Sequence, residues 1–165
     1  MNNQGIDEAL YSRQLYVLGN DAMVAMKNAN VLISGLNGVG LEIAKCVILS
    51  GVKSVTLHDT LNLTFKDLSS NYYAQEQHIG QNRAHVVHKM LAQLNPYVNV
   101  TVDTTTLSES HFVNNQIVVM CSRFVTDLTY YNNIARKNKT MFVSANTCGL
   151  FGQIFCDFGE KFVIN

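Results

Sequence analysis

The run Val31-Leu-Ile-Ser-Gly35-Leu-Asn-Gly38-Val-Gly40-Leu-Glu-Ile-Ala-Lys45 constrains the fold more than any other stretch of this chain. An apolar strand breaks into glycines and resumes with helical spacing. Glycine allows a sharp turn and a close approach to a bound group, and the N–H groups that open the following helix face any phosphate seated there. Gly35, Gly38 and Gly40 are therefore candidate cofactor-binding positions in a nucleotide-type fold. The motif does not establish that a nucleotide binds, because a tight strand-to-helix turn needs glycine with or without a ligand.

Spacing narrows the choice. A dinucleotide fingerprint read from Gly38 puts Gly40 second and Ile43 third, so the glycine that lets helix and strand pack closely is missing. The P-loop form needs Lys and Ser or Thr after its last glycine, whereas Leu41 and Glu42 follow Gly40. An NAD(P)-binding oxidoreductase and a P-loop enzyme are both disfavoured. What remains is G-x-x-G-x-G.

Around this loop the hydrophobic pattern alternates between strand and helix. Leu10, Leu15, Leu18, Ala22 and Met26 recur at helical spacing across Gly19, which predicts two short helices joined at a bend, within 7–28. Leu41, Ala44, Val47 and Ile48 form one helix face ended by Gly51, and 54–59 reads as the second strand. Residues 60–80 show no clear period and predict a loop that crosses the sheet edge, where ligand sites form. A helix over 82–95 stops at Pro96, strands follow at 98–102 and 117–121, and a second amphipathic helix lies within 125–138 before Met141 resumes the sheet. The expected fold is α/β: a Rossmann-like, doubly wound and mostly parallel sheet with helices on both faces and a short antiparallel C-terminal extension. A single domain is expected over 1–165, with the core in 30–148. The phenylalanine-rich segment 150–165 predicts closely spaced strands, with turns at Gly152 and Gly159, that lead into a continuation of the chain.

Charge and cysteine usage exclude several classes. Lys+Arg and Asp+Glu both number 12, so no net field attracts nucleic acid or an anionic membrane. No apolar run approaches the ~20 residues of a membrane helix, and the first residues lack the parts of a signal peptide, so an intracellular location is expected. Cys46, Cys121, Cys148 and Cys156 show no zinc-ligand spacing and read as reduced thiols. Cys46 and Cys121 are expected to act as small hydrophobes, and Cys148, beside Gly149, is the one cysteine worth testing as a nucleophile. His85 and His88 stand three apart on a helix with no third ligand, so no metal site is expected.

Several ordered motifs together resemble one family. They are Tyr11-Ser-Arg13-Gln14-Leu-Tyr-Val-Leu-Gly19, the loop from Gly35 to Gly40, Gly51-Val-Lys-Ser-Val-Thr-Leu-His-Asp59, Asp67-Leu-Ser-Ser70-Asn71, Ile79-Gly-Gln-Asn-Arg83-Ala84 and Gly149-Leu-Phe-Gly152. From Ile6 onward the chain resembles the ubiquitin-activating enzymes, and more narrowly their N-terminal, non-catalytic adenylation half, whose fold is shared with bacterial adenylating enzymes of molybdopterin and thiamine synthesis. The resemblance implies an active site built with an ATP-phosphate arginine, a lysine and a magnesium-binding aspartate. This chain has Ser70, Arg83 and Arg123 in those places. A cation where a carboxylate should hold Mg²⁺ opposes metal binding, and the planar guanidinium of Arg83 is a poor substitute for a positioned ammonium. Asp59 remains, at the end of the second strand, where an acid either holds ribose hydroxyls or fixes the loop.

The resemblance further implies a supporting role. ATP and Mg would bind the complete enzyme and not this segment, and Arg13 would reach in trans to the ATP of the active half. The implied partners are that active half, ubiquitin or a ubiquitin-like modifier, and conjugating enzymes through other domains, in cytoplasm and nucleus. The regulatory subunit of a SUMO- or NEDD8-activating heterodimer has the same architecture. A stand-alone adenylating enzyme is disfavoured by the residues at 70, 83 and 123.

Overall fold

The computed structural model describes residues 7–121 and 124–163. Helix α1 (Glu8–Asn28) starts at Asp7, whose Oδ1 accepts from the N–H groups of Ala9 and Leu10 at 3.0 and 3.2 Å. That is a carboxylate satisfying the orphan donors of a helix N-terminus. Gly19, at φ 79° and ψ 168°, breaks the helix into the two segments expected. The helix docks through Tyr11 and Met23, which are buried, while Leu10 and Leu18 of the apolar stripe stay exposed. The Tyr11 hydroxyl accepts a buried 2.7 Å hydrogen bond from Asn95 Nδ2.

The sheet contains β1 (Asn30–Ser34), β2 (Ser54–His58), β3 (Asn99–Asp103), β4 (Ile117–Cys121), β5 (Met141–Cys148) and β6 (Phe151–Asp157), in the order β3-β2-β1-β4-β5-β6. The first five strands run parallel and β6 pairs antiparallel with β5. The chain winds outward from β1 to β3, then returns to the other side of β1 at β4. Strand order therefore reverses between β1 and β4, and a crevice opens at their C-terminal ends, the position at which α/β sheets place ligands. The sheet is doubly wound, as the alternating pattern predicts.

Both faces are covered. Val31, Ile33, Val55 and Leu57 pack with Leu41, Ala44 and Ile48 of α2 (Gly38–Leu49) and with Ala84, Val87 and Leu91 of α3 (Arg83–Ala92). On the other face Leu32, Val118, Met120 and Phe142 meet Phe112 of α4 (Glu109–Val113) and Ala135 of α5 (Val125–Asn138). Alternate residues of β1 thus serve opposite cores, which is the period of two in a strand buried on both sides.

Two local expectations are corrected, and one element is added that the hydrophobic pattern did not predict. Residues 109–113 form the short helix α4, which has one buried anchor, Phe112, and so leaves no periodic stripe to read. Gly152 lies inside β6, not at a turn; the reversal falls at Gly149-Leu150, and 151–157 is one continuous strand paired with β5. Cys46 sits on the outer face of α2 and is exposed, whereas Cys121 is buried. The crossing loop 60–80 carries two 3-10 turns, Phe65–Ser69 and Glu76–His78, and is pinned by buried Leu63. Among the described residues no helix is long and apolar enough to cross a membrane.

Candidate functional site

The glycine loop lies at the crevice and is packed by the protein's own groups. Gly35 ends β1 at φ +95°, donates its N–H to His58 O at 2.9 Å, and sits so that an added Cβ would come within 2.2 Å of the Cys121 carbonyl oxygen. A Cβ on Gly40 would come within 1.9 Å of the Gly35 carbonyl oxygen, and one on Gly38 within 2.8 Å of Ser70 Cβ. Two of the glycines are thus required by backbone contacts at the switch point. The third makes room for the crossing loop. At the start of α2, Asn37 Oδ1 accepts from Gly40 N at 3.0 Å, so one of the N–H groups a phosphate would use already has a partner.

Asp59 follows β2 at the same edge and is 4% exposed. Its Oδ2 accepts from Leu36 N at 2.7 Å and its Oδ1 from Leu61 N at 2.9 Å, which ties the glycine loop to the start of the crossing loop. Arg83, the first residue of α3, brings Nη1 to 3.8 Å from Asp59 Oδ2 and Nη2 to 2.7 Å from Asp67 Oδ1. Asp67 Oδ2 accepts from both the N–H and the hydroxyl of Thr64. Burial works against the charged form of Asp67, but the Thr64 donors and the Arg83 guanidinium outweigh it and hold the carboxyl below its ordinary range. Arg83 Nε and Asn71 Nδ2 are buried without a hydrogen-bond partner.

The structure therefore gathers Gly35, Gly38, Gly40, Asp59, Ser70 and Arg83 at one place. Arg13 is exposed on α1, and its neighbour Tyr11 packs beside Gly51, at the end of the sheet opposite the glycine loop. Arg123 lies outside the described residues. His85 is exposed while His88 Nε2 bonds Val100 O at 3.0 Å, so the two rings do not converge, and no group of potential metal ligands occurs among the described residues. Cys148 is exposed at the end of β5, and burial pushes the Cys121 thiol up to about 12, where it stays protonated. Asp67 enters the reading of the sequence only as part of the Asp67–Asn71 motif, with no site role, and Thr64 is not singled out there. Their signal is Thr64-Phe-Lys-Asp67, a capping-box spacing that marks a helical turn within an otherwise aperiodic loop.

Known proteins match this chain in sequence and in fold. The ThiF family matches residues 11–159. Ubiquitin-like modifier-activating enzyme 1 of Homo sapiens is 48% identical over 159 residues, covering 96% of this chain and 15% of that protein. Ubiquitin-activating enzyme E1 1 of Schizosaccharomyces pombe is 49% identical over 158 residues, covering 96% and 16%. Ubiquitin-like modifier-activating enzyme 7 of Homo sapiens is 42% identical over 159 residues, covering 96% and 16%. The chain spans about one sixth of the length of these relatives. In fold it is similar to the solved structure of E. coli MccB with succinimide, at a TM-score of 0.71 and 18% identity over 83% of this chain and 44% of that one. The glycine loop at the β1–β4 switch point, the strand order and the extent of the match together show that this chain belongs to the ThiF family and is related to the ubiquitin-activating enzymes.

Proposed function

We propose that this chain is the non-catalytic adenylation half of a ubiquitin-activating enzyme. The observation that carries the reading is the occupation of the nucleotide crevice by the protein's own groups. Both carboxylate oxygens of Asp59 accept backbone N–H groups, Arg83 places a guanidinium between two acids, and Ser70 sits on Gly38. These residues do not fit Mg·ATP: ribose hydroxyls would compete with Leu36 and Leu61 for Asp59, and Asp67, engaged by Thr64 and Arg83, is not free to ligate Mg²⁺. No step of the reaction is assigned to this site.

In this reading the complete enzyme, acting in cytoplasm and nucleus, adenylates the C-terminus of ubiquitin with Mg·ATP in the partner half and passes it to a cysteine in another domain. This chain contributes scaffold, interface and Arg13. A guanidinium on an exposed helix can reach a neighbouring half, and a bidentate cation stabilises the charge that moves onto pyrophosphate as the adenylate forms. Substituting Arg13→Ala in the complete enzyme should lower ubiquitin-dependent ATP:pyrophosphate exchange by on the order of 10²-fold, the usual loss on removing one transition-state donor. Exchange at the wild-type rate would remove Arg13 from the mechanism.

A further inference from the structure

We propose that Arg83 is a latch: its tethered guanidinium closes the crossing loop onto the glycine loop, so the crevice is held shut from within and is not merely short of ligand-binding groups. This deepens the reading of the chain as a non-catalytic half and rests on it.

The linkage runs through named atoms. Arg83 is anchored by its own N–H, which donates to Leu61 O at 3.1 Å, and its side chain is largely buried, at 15% exposure. The 2.7 Å contact with Asp67 is a charge-assisted hydrogen bond, while the 3.8 Å approach to Asp59 is attraction without a hydrogen bond. Asp67 in turn accepts from Ser70 N at 3.1 Å and Asn71 N at 2.9 Å through its backbone carbonyl. Ser70 is the residue that lies on Gly38. Pulling on Asp67 therefore seats Ser70, and Ser70 covers the loop.

Charge explains why the position needs a cation. Without Arg83, Asp67 and Asp59 would face each other as carboxylates in a site where both are largely buried, and a lone buried charge is strongly unfavourable. A surface ion pair of the same composition would contribute little. Lysine would keep the charge, but it is a point donor without the fork that serves two acids at once. The buried, unpartnered Nε costs desolvation, and the two terminal nitrogens supply the contacts that offset it.

The test is hydrogen–deuterium exchange on the complete protein that contains this chain, comparing wild type, Arg83→Gln and Arg83→Lys. The Gln variant should exchange about tenfold faster over 61–74, with β1 and β4 at the wild-type rate and the Lys variant in between. Unchanged exchange over 61–74 in the Gln variant, or an acceleration spread evenly over loop and sheet, would overturn the latch. Failure of the parent reading is distinguishable. Saturable Mg·ATP binding at this crevice in wild type would remove the non-catalytic assignment and the closed crevice with it, whereas unchanged loop exchange in the Gln variant without such binding would overturn the latch alone.

Discussion

Gly35 and Gly19 both have positive φ, with different consequences. Gly35, at φ +95°, is pressed against the carbonyl of Cys121, whereas Gly19, at φ +79°, has nothing within 4 Å of where a Cβ would stand. Alanine at Gly19 should cost only the backbone strain of an unfavourable dihedral, about 1–3 kcal/mol. Alanine at Gly35 adds to that strain a contact no rotamer can relieve, because the obstacle is main chain. Urea denaturation of both variants should therefore place Gly35→Ala below Gly19→Ala by at least about 2 kcal/mol; equal midpoints would mean that the β1–β4 crevice can spread. Both positions stand out in the sequence as glycine breaks, yet their surroundings do not. The obstacle at Gly35 comes from a strand more than eighty residues away in the chain. Asp59 is a similar case: its place at a strand end is readable, but its engagement by Leu36, Leu61 and Arg83 depends on loops meeting in space.

Elements start where local chemistry says they should. Asp7, Asn37 and Asn82 each cap a helix with a side-chain oxygen, and the strand–helix alternation places α2, α3 and α5 within a few residues of their observed bounds. Strand β6 is different, because besides its antiparallel pairing with β5 its last residue is held by side chains of α5. Asp157 accepts from Arg136 Nε at 2.6 Å and Nη2 at 3.3 Å, from Asn132 Nδ2 at 2.9 Å and from Gly159 N at 3.1 Å. The Arg136 hydrogen bonds, with help from Asn132 and Gly159 and against some cost of burial, bring the Asp157 carboxyl down from 3.8 to about 2. A carboxyl depressed on folding contributes stability that is fully present above its unfolded value and is lost as pH falls through its folded value. The docking of β6 should thus weaken as pH drops from about 4 to about 2. Thermal melts should show wild type above Asp157→Asn at neutral pH, with the difference closing over that interval; a gap that stays constant to pH 2 would show that Asp157 is not the titrating group.

Taken together, the domain is closed at its crevice and open on its outer surfaces. Phe151 is 82% and Ile154 76% exposed on β6, and Tyr16 is 93% and Val17 77% exposed on α1. In the proposed reading these apolar side chains would be buried against the active half. The functional consequence lies at the crevice, and calorimetric titration of this chain with Mg·ATP reads it directly. No heat is expected up to millimolar nucleotide, whereas saturable micromolar binding would show that Ser70, Arg83 and Arg123 do not disable the pocket. The order of strands and helices, the glycine turn and the acid at the end of β2 were written in local patterns, because hydrophobic period, caps and backbone freedom act over a few neighbouring residues. The pairing of Arg83 with Asp67, the seating of Ser70 on Gly38 and the exposure of Cys46 were not. Each is a contact, or the lack of one, between segments distant in the chain, and it acquires its energy only once the sheet has brought those segments together in a low-dielectric interior or left them facing water.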